Sequence, residues 1–281
     1  MEVRKQDILC SLERVGVKKG DTIFVHSSLK SFGYVDGGAE TVIVSLKEAI
    51  GEEGTLVMPT LSQKNWATVY QDWTIDRPSD VGLITETFRK QPNTLRSNQE
   101  THSVAASGRL AKEITDGHTA FGPRYGAYGD YAFSHSSPYQ KMYDMGAKVL
   151  FLGADPFATN TFKHFCEYRF VEELLRKLEN KPFFEEQKRK LRHFEDGVQK
   201  GTEWPYSAKS NEILEEEKIY TYTTCGTATL AFGSIRKMVD AIERKMRLDP
   251  ARYLYPIGWL IETEKVCGVK IFSLIKNERL A

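Results

Sequence analysis

The chain has 281 residues, 41% hydrophobic and 27% charged, a composition that excludes a disordered polymer and gives room for one large core or two modest ones. Lysine plus arginine number 39 against 38 aspartate plus glutamate, a net charge of +1, so no global field steers the protein to nucleic acid or an anionic membrane. The balance favours a small-molecule ligand.

Cys10, Cys166, Cys225 and Cys267 are scattered with no CxxC pair, as expected of reduced thiols rather than of a disulfide framework or zinc site. The amino terminus, Met1-Glu2-Val3-Arg4-Lys5-Gln6-Asp7, is charged where a signal peptide needs an apolar core. No run approaches the ~20 apolar residues of a membrane span, and a cytoplasmic location is expected.

In chain order, Ile8, Leu9, Leu12 and Val15 lie at helical spacing ahead of Gly16, which predicts a short amphipathic helix. Asp21 to His26 is β-branched and apolar enough for a core strand, and it runs into a loop of small hydroxyl and glycine residues from Ser27 to Gly38. A helix follows from Ala39 to Ile50, closed by Gly51, and then a strand at Thr55 to Pro59. Residues 61–80 have little periodicity and read as a structured loop able to line a cleft. Helix resumes from Val81 to Lys90, a short strand and turn occupy Thr101 to Gly108, and another helix runs from about Arg109 to Asp116. Residues 117–135, rich in glycine and tyrosine, form a second cleft-side loop. Ser137-Pro138 starts a helix to about Met145, with proline where its missing N–H costs nothing.

Val149-Leu150-Phe151-Leu152-Gly153 reads as a buried strand ending in a glycine turn. The polar segment Ala154 to Thr159 leads from it into a helix beginning near Asn160. From Arg176 to Gly201, basic residues outnumber acidic ones, a pattern that suits an exposed β-hairpin or insert. Gly226 to Arg247 ends in an amphipathic helix with Ile235, Met238, Val239, Ile242 and Met246 at helical spacing. No internal repeat is visible.

The chemistry concentrates on the helix near Asn160. His164 and Glu167 are three apart and share a face, with Asn160 one turn earlier, so an imidazole and a carboxylate converge just past a strand end. They can serve as a base with its orienting carboxylate, or as a helix-surface ion pair. His-x-x-Glu without further ligands does not specify a metal site. Cys166 falls on the other side of the helix from His164 and is expected in the core with Phe162 and Phe165. The Ser27–Gly38 loop can cradle a phosphate through its backbone N–H groups or simply connect strand to helix; it is neither Walker A nor GxGxxG. Without a G-x-S-x-G elbow, Ser27 and Ser28 are poor nucleophiles. His102 and Ser103 offer a base and a nucleophile, but adjacent residues on a strand face opposite ways, which favours a backbone and hydroxyl contact role.

Taken together, several blocks resemble the aminoglycoside 3-N-acetyltransferase, or antibiotic N-acetyltransferase, family. They are Val25 to Gly33 with Gly37-Gly38-Ala39, Gly54 to Thr60, Arg96-Ser97 with Thr101 to Ala106, Ser137-Pro138-Tyr139, Val149 to Gly153, and Asn160-Thr161 with His164 and Glu167-Tyr168-Arg169. The similarity covers nearly all of residues 1–175 and resumes around 226–247.

The resemblance implies an α/β fold with a mixed sheet flanked by helices, distinct from the GNAT acetyltransferases, as a single domain over 1–281 with a β-rich insert at about 176–218. It implies acetyl-CoA as donor, an amino-sugar acceptor and no metal. Ser27, Ser28, Leu29, Phe32 and Gly33 are expected to grip the phosphopantetheine and pyrophosphate arm, and Thr101, Ser103 and Val104 to line the thioester channel, with Ser103-Val104 a candidate oxyanion site. His164 is expected as the catalytic base, and Glu167 either orients it or binds the acceptor amine. Asp155 and Asn160 are expected on the acceptor side. The resemblance admits a homodimer.

Two stretches depart from the family pattern. Asn98-Gln99-Glu100 stands where a His-Pro or Asn-Pro pair is usual, and Ala154 to Thr159 is longer and more apolar than the usual polar turn. The basic 176–200 stretch is unexpected beside a polycation pocket and brings in a second acceptor, a nucleotide-linked amino sugar. A non-catalytic CoA- or sugar-binding protein is the third alternative, against which the retained His164 and Glu167 argue.

Overall fold

The computed structural model describes residues 2–62, 72–180, 185, 194–195, 198–199, 206–207 and 209–255. A two-residue strand β1 (Glu2–Val3) precedes α1 (Lys5–Val15), where Ile8, Leu12 and Val15 are buried on one stripe. The Asp7 carboxylate accepts the Arg4 backbone N–H at 2.8 Å to fix its start, and Gly16, at φ +105°, ends it in the left-handed conformation that glycine tolerates. Strand β2 (Thr22–Ser27) leads through a 3-10 turn (Leu29–Phe32) and β3 (Tyr34–Val35) into α2 (Gly38–Ile50) and β4 (Thr55–Pro59). Next come α3 (Leu83–Arg89), β5 (Leu95–Arg96), β6 (Val104–Gly108), α4 (Ala111–Thr115) and α5 (Pro138–Asp144). The Ser137 hydroxyl caps α5 by accepting the Gln140 N–H, and Pro138 occupies its first turn.

Strand β7 (Lys148–Leu152) feeds α6 (Phe162–Leu178), the 17-residue helix that carries His164 and Glu167. Short strands β8 (Phe194–Glu195) and β9 (Val198–Gln199) pair as a hairpin, and β10 (Tyr206–Ser207) precedes α7 (Ser210–Glu216). Strands β11 (Tyr220–Cys225) and β12 (Ala228–Ser234), α8 (Ile235–Leu248), α9 (Pro250–Tyr253) and β13 (Leu254–Tyr255) complete the order, with β13 pairing back on β10.

The main sheet has seven strands in the order β11-β12-β7-β2-β4-β6-β5. Strand β2 runs parallel to both neighbours, β4 and β7, and the outer pairings are antiparallel, so the sheet is mixed and flanked by helices. Alternation along β2 sends Ile23 and Val25 into a core with α1, α2 and α3, and Phe24 into a second core with α5, α6 and α8. The helix leaving β2 and the helix leaving β7 therefore cover opposite faces. That divergence opens a crevice at the carboxyl ends of the two strands, the switch point where open α/β sheets hold ligands.

Three stretches differ in detail from the sequence expectation. The helix expected from Arg109 is confined to Ala111–Thr115. Within 176–218, α6 continues to Leu178 and α7 occupies Ser210–Glu216, so the described β-structure lies between them; residues 181–184, 186–193 and 200–205 fall outside the described residues. Residues 220–234, to which periodicity assigns no strand, form an edge hairpin whose two-residue turn is Gly226-Thr227, with Gly226 at φ +57°.

Phe162 pins the start of α6 to the sheet, its ring lying 5.6 Å from both Phe24 and Tyr139, fully buried. Phe162→Ala is expected to cost about 3–5 kcal/mol in urea unfolding, the range for a buried aromatic cut to alanine; a loss below ~1 kcal/mol would show that α6 is not anchored there.

Candidate active site

A cavity of about 350 Å³ sits at the carboxyl edge of the sheet. His26 and Ser27 from the end of β2 and Pro59 from the end of β4 form its floor. Leu61, Val81 and Thr85 line it from the α3 side, and Thr159, Asn160, Thr161, Lys163 and His164 from the α6 side, with His102 and Tyr128 beside them. The cavity thus wraps around the end of β2 and is open to both layers of helices.

His164 sits in the first turns of α6, and its Nδ1 lies 2.8 Å from the Oε2 of buried Glu167. The other carboxylate oxygen, Oε1, accepts the Ser207 backbone N–H at 2.7 Å and the Ser207 hydroxyl at 2.9 Å. An ionised carboxylate only accepts, so Nδ1 of His164 carries the proton and Nε2 presents its lone pair. That Nε2 lies 3.4 Å from the Tyr128 hydroxyl, at the cavity wall. Tyr168, one residue beyond Glu167, holds the Tyr128 loop in place: its hydroxyl accepts the Tyr128 N–H at 2.7 Å and donates to the Gly129 carbonyl at 3.1 Å.

Two further histidines line the cavity and are neutral. Burial lowers the His26 pKa to about 3. Burial, reinforced by His164 and His118 nearby, holds His102 well below the usual imidazole range. The Nδ1 of His102 is paired with the Thr101 hydroxyl at 2.9 Å, and its ring centroid is 6.3 Å from that of His164. His118 is also buried but structural, bonded to the Ser97 hydroxyl and the Ala132 carbonyl, and burial lowers its pKa to about 3.

The residues expected from the sequence separate into two sets. Ser27, Asn160 and His164 come together on the cavity. Glu167 stands behind His164 with both oxygens engaged and does not line it. Asn160 accepts the Phe162 N–H at 3.1 Å and directs its amide toward Tyr220 and Met238. Asp155 is exposed and takes the Phe157 N–H at 2.8 Å.

The remaining expected residues lie off the cavity. In the loop after β2, the Ser28 hydroxyl accepts from Ser31, Leu29 packs against the core, Phe32 is buried in it, and Gly33 turns at φ +81°. Thr101 donates to the Tyr128 carbonyl, Ser103 bonds to Thr60 and Arg96, and Val104 is core. From that stretch it is His102 that reaches the cavity. His26, Tyr128, Thr161 and Lys163 were not singled out by spacing; a histidine at the end of a core strand was the available signal.

A family model described as aminoglycoside 3-N-acetyltransferase matches residues 24–247. The chain is similar to the SPbeta prophage-derived aminoglycoside N(3')-acetyltransferase-like protein YokD of Bacillus subtilis strain 168, at 37% identity over 186 residues, 59% of this chain and 65% of that protein. It is also similar to aminoglycoside N(3)-acetyltransferase VIII of Streptomyces fradiae, at 30% identity over 185 residues, 59% of this chain and 61% of that protein. Both matches span less than two thirds of the relatives' own length. A solved structure described as AAC-IIIb in a binary complex with CoASH shares the fold with a TM-score of 0.66 at 19% identity, covering 91% of this chain and 99% of that one.

The lowered pKa values of the buried histidines make stability fall in acid. Above about pH 6.5, the unfolded reference, folded and unfolded forms are both neutral. As pH falls from there toward about 3, the unfolded chain takes up protons that His26 and His118 refuse. The urea midpoint is therefore expected to drop between pH 6.5 and 4, and His118→Gln, though less stable at neutral pH, to drop less steeply; an identical slope would mean that His118 protonates in the folded protein.

Proposed function

Because the chain belongs to the aminoglycoside 3-N-acetyltransferase family, we propose that it transfers the acetyl group of acetyl-CoA to an amino group of an amino sugar, with the 3-amino group of an aminoglycoside as first candidate. The observation that carries this reading is a cavity lined from both helix layers, with the lone pair of His164 Nε2 in its wall. Two substrates entering from opposite sides of β2 would meet there, and holding them together supplies the proximity that acyl transfer needs. Residues from both sheet faces build that cavity, which supports one catalytic unit rather than two.

The α3 side suits the donor. Leu61 and Val81 give an apolar wall beside Thr85, and the buried Ser27 hydroxyl has no hydrogen-bond partner among the described residues, so this side would hold the pantetheine arm and lead its thioester to the end of β2, between the two sides. The α6 side suits the acceptor. An ammonium has no lone pair, and His164 takes the proton that the attacking nitrogen must lose. Glu167 keeps the ring in the tautomer that can do so and stabilises the imidazolium once formed.

One observation favours a second acceptor. Among the described residues, the cavity lining contains the cation Lys163 and no carboxylate, which fits a phosphate-bearing amino sugar, such as a nucleotide-linked one, better than a polycation.

The test is CoA thiol release from acetyl-CoA with a panel of aminoglycosides and nucleotide-linked amino sugars. His164→Ala is expected to lower kcat by about 10²–10⁴-fold, the usual worth of a general base; unchanged turnover would remove the base assignment. Glu167→Gln is expected to lower kcat with little change in the acceptor KM, since Glu167 does not line the cavity, whereas a rise in KM alone would make it an acceptor ligand. Turnover confined to the nucleotide-linked sugars would replace the aminoglycoside reading, and none with any acceptor would remove both.

A further inference from the structure

Acyl transfer from a thioester builds negative charge on the carbonyl oxygen, and that charge needs a donor already in place. The polar groups around the cavity are largely committed. Lys163 donates to the Phe157 carbonyl, the Ser28 N–H goes to the Leu152 carbonyl, and His102 Nδ1 pairs with Thr101. Two buried atoms of lining residues have no partner among the described residues, His26 Nε2 and Ser27 Oγ. A buried polar group left unpaired is costly, which favours a ligand group that would pair with it.

Alternation along β2 turns the two apart: Ser27 follows Val25 toward the α3 side, and His26 follows Phe24 toward the α6 side, where His164 lies. The His26 ring is also held rigidly. Phe151 stacks on it at 5.1 Å and 5°, and Phe24 meets it edge-on at 4.9 Å.

We infer that His26 is a catalytic residue of the proposed acyl transfer, donating its Nε2–H to the thioester carbonyl oxygen as the acceptor amine attacks. The inference rests on the acyl-transfer reading and adds an electrophilic group to it. The amine lone pair forms the C–N bond while the carbonyl π pair moves onto oxygen, where the His26 N–H meets it. His164 takes the nitrogen's proton. The C=O bond then re-forms as the C–S bond breaks, and the thiolate leaves with the pair and recovers a proton from His164. His26 neither gains nor loses a proton, as suits an imidazole that its aromatic surroundings keep neutral.

His26→Phe keeps a stacked ring and removes the N–H. It is expected to lower kcat by about 10²–10³-fold, to move either KM by less than about threefold, and to leave the shape of the pH profile unchanged because His164 remains. His26→Gln, which retains an N–H donor, is expected to recover part of the rate. In the wild-type protein, the His26 Nε2–H proton resonance is expected to move downfield when a non-transferable ketone analogue of acetyl-CoA binds. Wild-type kcat in His26→Phe would overturn the assignment and leave the acyl-transfer reading standing. Loss of the acidic limb of the pH profile would overturn it too, by making His26 a base. No wild-type turnover with any acceptor is a failure of the acyl-transfer reading instead; the resonance then decides, an unmoved signal with the analogue bound overturning the assignment and a shifted one supporting it.

Discussion

The buried carboxylate of Glu167 ties the site to the fold. A charge taken out of water costs several kcal/mol unless donors replace the solvent, and here the His164 ring, the Ser207 N–H and the Ser207 hydroxyl do so. Ser207 lies on β10, which pairs with β13 beyond α8, so the imidazole is fixed by a contact that the whole carboxyl-terminal half must form. Further along α6, Arg169 pairs with Glu243 on α8 at 2.5 Å, and Glu172 takes the guanidinium of Arg124 at 2.7 Å from the loop that carries Tyr128. One helix therefore holds the His164 imidazole, its carboxylate partner and the anchors of the neighbouring loop.

His164 and Glu167 were legible in the sequence because helical geometry is local: three residues apart means one face, whatever the tertiary structure. Ser207 was not, since its place beside Glu167 depends on a strand forty residues away. The strand ending at His26 and the helix after it were equally plain, but the conformation of the loop between them was not. Its residues after Ser27 face a turn and the core, and burial of Phe32 is a tertiary outcome that small hydroxyl composition does not reveal. At Thr101 to Ser103 the sequence suggests a strand where the chain makes a turn ahead of β6, so alternation does not apply there, and it is this turn that brings His102 to the cavity. The β11–β12 hairpin had its signal in Gly226 between a run of tyrosine and threonine at 220–224 and a largely apolar run at 228–232.

The two cores explain why the crevice at the end of β2 is lined from both helix layers. Along β2 the side chains enter the cores alternately, and at its carboxyl end His26 and Ser27 reach the cavity instead. Gly153, at φ +69°, lets the chain after β7 pass close to the loop after β2, where a Cβ would come within 2.8 Å of the Ser31 side chain and 3.1 Å of the Ser28 carbonyl. A side chain there would push the two loops apart. The crevice is thus a product of strand geometry, tightened by one glycine.

The placement of charge bears on the form in which an amine can react. Among the described residues, the cavity wall presents neutral imidazoles, a tyrosine and a lysine, while the carboxylate stands one residue's depth behind it. An ammonium gains little from such a wall, and desolvation there favours its neutral form. The neutral form is the one with a lone pair to attack. In the acyl transfer proposed above, His164 takes the proton once bond formation makes the nitrogen acidic, and the positive charge then appears on the ring that Glu167 already faces. Had Glu167 lined the cavity, it would have stabilised the unreactive ammonium; placed behind the imidazole, it stabilises the charge only after the proton has moved.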